Sequence, residues 1–220
     1  MAFSKEEIKK NIVDQLFWDS RVDASGITIE FLDGTVVLSG TVPTWLARQA
    51  AEQDVWAVPG VSAVRNDIAV RFPSGHPLPS DEEIKGMVTN VLSWDSNIDN
   101  SDIMVSVENG KVTLDGTVPA YWQKVHAREI VTNVQGVVSV NNRLAVVPAK
   151  HYVDGLIARD IEAALDRSTE IDVNDIDVQV DNGKVVLMGD VKSRVAYEVA
   201  ERIVRNTDGV TDVINNLVII

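Results

Sequence analysis

The chain has 220 residues, enough for one ordinary domain or several small ones. Its hydrophobic share of 45% and charged share of 24% belong to a folded protein rather than a disordered tail. The absence of cysteine excludes disulfides, zinc-thiolate sites, iron–sulfur clusters and thiol nucleophiles together. A net charge of −13 repels phosphate backbones and anionic surfaces, so nucleic acid is not an expected partner.

The first segment, MAFSKEEIKKNIVDQLFWDS, brings charges at Lys5, Glu6, Glu7, Lys9 and Lys10. A secretory signal needs an apolar core of roughly 7–15 residues there. No stretch reaches the roughly 20 apolar residues of a membrane-spanning helix. These features lead to the expectation of a cytoplasmic protein, or a periplasmic one if the sequence has been trimmed. Ile8, Ile12 and Leu16 recur every four residues and predict an amphipathic helix ending near Trp18.

Ile27, Ile29 and Phe31 then alternate with Thr28, Glu30 and Leu32, which predicts a strand with one buried face. Asp33-Gly34 predicts a tight hairpin, because both central residues need positive φ, and Val36 and Leu38 start the returning strand. That strand is expected to end at Gly40, with Pro43 in the first turn of a second helix, where its missing N–H costs nothing. Ala47, Ala51, Val55 and Val58 give this helix a small-residue inner side, and Gly60 is expected to end it as a left-handed cap. VSAVRNDIAV supplies a third strand.

The whole series then starts again. A shift of 76 places Trp18-Asp19-Ser20 on Trp94-Asp95-Ser96 and Gly40-Thr41-Val42-Pro43 on Gly116-Thr117-Val118-Pro119. Roughly thirty of about seventy pairs are identical, far above chance for internal repeats. A further shift of 73 lands Gly110, Gly116, Ala127, Gly136 and Asn142 on Gly183, Gly189, Ala200, Gly209 and Asn215. Proline and glycine in RFPSGHPLPS (71–80) mark a linker, and VPAKHYVDG (147–155) has the same role. The expected units are 4–72, 80–148 and 153–220. The paired glycines of each unit bracket a strand. A phosphate cradle instead needs a glycine cluster opening directly onto a helix N-terminus.

An αββαβ unit with this punctuation resembles the BON domain, a bacterial domain named for osmotically inducible and nodulation proteins. The matching residues are DGTVVLSGTV, the alanines around Ala51, the PGV at 59–61 and VRNDIAV ending at 70. The resemblance implies an α+β fold of three tandem domains, each a three-stranded mixed sheet with two helices on one face. It also implies a non-enzymatic, stress-associated binding protein that contacts phospholipid head groups or membrane-associated partners, with no catalytic motif. The alternative function is a protein–protein scaffold without lipid affinity.

The residues themselves give no cofactor, metal or catalytic site. His76 and His151 sit in linkers, and His126 aligns with Ala50 and Val199 on a helix, outside any metal-ligand spacing. The acid-rich DVNDIDVQVDNG (172–183) fails the calcium-loop template, with Ile176, Asp177 and Gly183 at its fifth, sixth and twelfth positions. The candidate interface consists of Trp18 and Trp94 at the ends of first helices, Trp45, Tyr121 and Trp122 at the starts of second helices, and the cations Lys124, Arg128, Arg194 and Arg202. Tryptophan suits such a place because it joins large apolar area to one donor. Units this small bury only about 60% of their unfolded surface. The domains are therefore expected to dock on one another, with the tryptophans spent between them or in the small cores and contact with an outside partner or membrane as the remaining alternative, and an oligomer is an open expectation.

Overall fold

The computed structural model describes residues 4–32, 35–72 and 78–220. Gly34 and His76, and with them the first hairpin tip and the middle of the first linker, lie outside the described residues. One series of elements is met three times. It runs α1 (Lys5–Trp18), β1 (Ile27–Leu32), β2 (Thr35–Val42), α2 (Trp45–Trp56) and β3 (Val64–Val70) in the first repeat. The second has α3 (Asp81–Trp94), β4 (Ile103–Glu108), β5 (Lys111–Val118), α4 (Tyr121–Thr132) and β6 (Ser139–Val146). The third has α5 (Asp154–Asp166), β7 (Ile176–Asp181), β8 (Lys184–Val191), α6 (Arg194–Arg205) and β9 (Asp212–Ile219).

Each repeat forms its own three-stranded sheet, in the order β1-β2-β3, β4-β5-β6 and β7-β8-β9. The hairpin pair is antiparallel, and the strand returning after the second helix is parallel to the central one, as in β1–β2 against β2–β3 and β7–β8 against β8–β9. The fold class is therefore α+β with mixed sheets. Ile8, Ile12 and Leu16 of α1 and Ala47, Ala51 and Val55 of α2 join Val36, Leu38 and Ile68 of the sheet in one core. Ile157, Ile161, Leu165, Ala196, Ala200, Val204, Val185 and Leu187 do the same in the third repeat. Fully burying one such Leu or Ile stabilises by about 1.5–3 kcal/mol, and the alanines let the second helix approach the strands closely.

Local signals fix the ends. Ser4 and Ser80 each begin a helix with a reciprocal cap, their hydroxyls accepting from Glu7 N at 3.2 Å and Glu83 N at 3.3 Å while those glutamates bond back. Asp81 accepts from Asn109 N at 2.7 Å and Gly110 N at 2.8 Å. Asp154 repeats the arrangement on Asn182 N and Gly183 N, both at 2.9 Å. One carboxylate thus ties the start of α3, and another that of α5, to the following hairpin tip, where Asn109 and Asn182 have φ of 51° and 50°. Lys5 stands at the corresponding position of the first repeat. Asn66 and Asn142 fasten the third strand to the second helix through the carbonyls of Arg48 at 3.1 Å and Lys124 at 2.6 Å.

Three expectations about punctuation are corrected. Gly40, Gly116 and Gly189 do not end their strands but lie inside them, two residues before the end. At Gly189 φ is +125°, and a Cβ would overlap the carbonyl oxygen of Asp175 in the 3-10 turn that leads into β7. The glycine is needed for backbone approach, not for a corner. Pro43 precedes the second helix instead of joining its first turn, because Thr44 caps α2 by accepting from Ala47 N at 3.1 Å. Pro119 likewise lies before α4. The second helices end at Trp56, Thr132 and Arg205, so Gly60, Gly136 and Gly209 occupy the turn beyond them, with φ of 91°, 91° and 85°.

The contacts divide the chain into two compact bodies. One comprises 1–84, 107–112 and 132–139, and the other 85–106, 113–131 and 140–220. The second repeat contributes to both.

Candidate interaction site

The chemistry available begins at the ends of the first helices. In α1 the inward stripe of Ile8, Ile12 and Leu16 leaves Phe17 and Trp18 on the outside, 73% and 81% exposed. Their rings meet edge to face, 5.5 Å apart at 84°. Asp19 follows and closes the helix end by accepting from Arg21 N at 2.8 Å and from its guanidinium at 2.6–3.0 Å. These bonds hold its carboxyl down to about 2. Trp94 ends α3 in the same way and is also 81% exposed. Asp95 behind it accepts from Asn97 N at 2.9 Å and lies 2.7 Å from His126 Nε2, and both contacts lower its pKa, the backbone bond most. In the third repeat this position is Arg167, also exposed.

The expectation that the tryptophans are spent inside the protein is therefore corrected for Trp18 and Trp94. Each is displayed, each at the same place in its repeat, and each in a different compact body. Trp45 is half-buried, with the Arg48 guanidinium 4.7 Å from its ring centroid. Trp122 is half-buried beside His126, ring centroids 6.4 Å apart.

Tyr121 has a different task. It packs against the hydrophobic core of the third repeat, and burial, reinforced by the charges of Asp212 and Glu201, pushes its phenol up. Beside it Arg205 Nη1 bonds Glu129 Oε1 at 3.0 Å, so α4 and α6 are joined by an aromatic contact and an ion pair. Arg194 stacks 4.8 Å from the Tyr197 ring and pairs with Glu198 at 2.9 Å. Lys124 is partly buried, while Arg128 and Arg202 are exposed on α4 and α6.

Two groups escaped the sequence reading. Phe17 lies off the core stripe next to Trp18, which its spacing from Leu16 would have shown. Asp54 is buried at 6% exposure on α2, where the other repeats carry Ile130 and Ile203, and alignment of the repeats would have singled it out.

A hollow of about 650 Å³ lies along the second linker, lined by Lys150, His151, Tyr152, Asp154, Asn182 and Thr211 among others. Several of its polar groups are engaged within the repeat: Asp154 accepts from the hairpin N–H groups, Lys150 sits 5.0 Å over the Tyr152 ring, and Thr211 Oγ1 donates to Asn182 O at 3.2 Å. Among the described residues no group of three or more His, Cys, Asp or Glu is placed to hold a metal, and no helix is long and apolar enough to cross a membrane.

The fold defines a tandem module of three small α+β units. The BON domain model matches residues 4–71, 80–148 and 153–220, and the chain belongs to the BON domain family. It is similar to Osmotically-inducible protein Y of Escherichia coli, 32% identical over 62% of this chain and 71% of that protein. It is 28% identical to the 21 kDa hemolysin of Actinobacillus pleuropneumoniae over 61% of this chain and 71% of that one. The outer membrane lipoprotein DolP of Haemophilus influenzae is also 28% identical, over 68% and 81%. This membership places the chain among non-enzymatic, stress-associated proteins. It also corrects the expectation of a cytoplasmic protein: a relative matched over 68% of this chain, DolP, is by name an outer membrane lipoprotein. The absence of an apolar stretch in these residues carries no compartment signal.

Proposed function

We propose that this chain is a stress-associated envelope protein that contacts the phospholipid head-group layer through Phe17, Trp18 and Trp94. The observation that supports it is the equivalence of the two tryptophans: one position, at the end of the first helix, displayed at 81% exposure in both copies that carry it. An indole at a membrane surface buries its ring among head groups while its N–H stays hydrated. The neighbouring Asp19 and Asp95 are anionic, so attachment is driven by aromatic insertion and not by attraction to anionic lipid. The outer membrane in the name of the lipoprotein supports this reading.

The test is co-sedimentation of the full chain with phosphatidylcholine–phosphatidylethanolamine vesicles, with and without phosphatidylglycerol. Binding is expected with all of them. The Trp18→Ala, Trp94→Ala double variant is expected to bind at least about tenfold more weakly, the loss of two interfacial anchors. Absence of vesicle binding at low salt, or undiminished binding by the double variant, removes the proposal in favour of a protein scaffold without lipid affinity.

A further inference from the structure

In the first and third repeats the sheet turns one face to its two helices and the other away from them. In the third repeat the register sets out the second face. Gln179, Val186 and Ile214 form one cross-strand row, Asp177, Met188 and Asn216 the next, and Asp190 lies beside Val218. The alternating residues Val178, Val185, Leu187, Val213 and Leu217 belong to the helix-side core. On the outward face Ile214, Val218 and Ile220 are 38%, 55% and 75% exposed.

The other repeats treat these positions differently. Arg65, Ala69 and Arg71 stand in the first repeat where Ile214, Val218 and Ile220 stand in the third, and Asn141, Ala145 and Val147 in the second. The first repeat places an ion pair there, Arg65 to Asp67 at 2.8 Å. The second pairs Arg143 with Asp115 at 3.1 Å, and these two positions become Asn216 and Met188 in the third. Helices, core and turns are retained while an ion-paired surface is exchanged for an apolar one. Surface ion pairs add little stability, so the fold does not require this exchange. Exposed branched residues on an edge strand are instead a liability that proteins ordinarily avoid, and β9 is such a strand.

The charge around the strip indicates what covers it. Asp177 and Asp181 flank it on β7 and Asp190 on β8, and among the described residues on the outward positions of β7 and β8 Lys184 is the only cation. Residues 151–220 carry 14 acidic and 7 basic side chains. A second copy would set acidic rim against acidic rim, and anionic lipid and nucleic acid are repelled in the same way.

We propose that the outward face of the third repeat docks a segment of a partner protein that is apolar on one side and flanked by Lys or Arg. Its apolar side chains lie on Val186, Met188, Ile214 and Val218, and its cations meet Asp177, Asp181 and Asp190. This surface is separate from the tryptophans and its test is independent of lipid.

The probe is a short amphipathic peptide made only of leucine and lysine, with a leucine–glutamate counterpart as control, added to the full chain and followed by amide NMR. Shifts are expected on β8 and β9 with the lysine peptide and none with the glutamate peptide. The charge-neutral double variant Ile214→Ser, Val218→Ser should weaken binding by about tenfold or more, as loss of central apolar contacts does. Both positions are exposed, so its core stays intact, and Trp18→Ala should leave the affinity unchanged. The proposal is overturned if the shifts map elsewhere or if the serine variant binds the lysine peptide as well as the parent. It is equally overturned if that variant abolishes self-association of the free chain, which assigns the face to a second copy, or abolishes vesicle binding, which assigns it to lipid.

Discussion

Replacing Asp54 with isoleucine is expected to stabilise the first repeat. Asp54 is 6% exposed on the inner side of α2, and its Oδ2 has no hydrogen-bond partner. Burial, reinforced by the charge of Asp19, pushes its pKa up, against hydrogen bonding from Gln15. An unpaired buried polar atom costs about 1–3 kcal/mol. Isoleucine removes that cost and adds apolar carbon worth about 0.8 kcal/mol per buried CH₂. Overpacking takes back about 1–3 kcal/mol. A net gain of about 1–3 kcal/mol is expected at neutral pH, or roughly 4–8 °C for each kcal/mol in a unit of this size. The pH dependence carries its own sign. A carboxyl with a raised folded pKa is protonated more readily in the fold than in the unfolded chain, whose value is about 3.9. The parent's penalty is therefore absent at acid pH, grows as pH rises between the unfolded and folded values, and is complete above the latter. Thermal unfolding of parent and variant, with hydrogen exchange on α2 to locate the change, measures both effects. A variant no more stable than the parent at neutral pH, or an advantage equally large at about pH 4, refutes the reasoning.

Gly189→Ala should destabilise the third repeat by at least about 2–3 kcal/mol, since it combines a positive φ with a backbone clash that no rotamer relieves; urea unfolding measures it. Tyr121→Ala lies in the second repeat, yet its effect should appear in the third, as faster hydrogen exchange on α6, because the ring packs against that core. Asp154→Ala removes two hydrogen bonds to the Asn182-Gly183 tip and should cost about 1–3 kcal/mol, while Asp154→Asn, able to keep one acceptor, should cost less. Protection of the Asn182 and Gly183 amides reads this directly.

Sequence reasoning reached the parts of the fold written as local rules. The four-residue spacing of Ile8, Ile12 and Leu16 sets one helix face, and Asn-Gly at 109 and 182 sets a turn with two positive φ values. It misplaced features whose cause lies elsewhere in the chain. Gly189 reads as a strand end because glycine usually ends strands, and only the Asp175 carbonyl pressing on it shows why the strand runs through. Gly209 reads as a helix cap, whereas α6 stops earlier and the glycine serves a separate turn. The display of Trp18, like that of Phe17, was legible in helix geometry, because a residue two positions beyond Leu16 lies about 200° round the helix and off the inward stripe.

A chain that repeats one fold three times offers its own internal comparison. Positions alike in all three copies, such as Ala51, Ala127 and Ala200 or the glycines at 40, 116 and 189, answer to packing and backbone geometry. Exposed positions that differ between copies answer to nothing in the fold, because the fold forms with any of the alternatives. By this standard Trp18 and Trp94 against Arg167, and Arg65 and Asn141 against Ile214, are places where the copies have taken separate tasks. The same standard separates them from Tyr121, whose counterparts are Trp45 and Arg194: its difference is accounted for by the neighbouring core it fills. Function in such a protein resides in the divergence between copies.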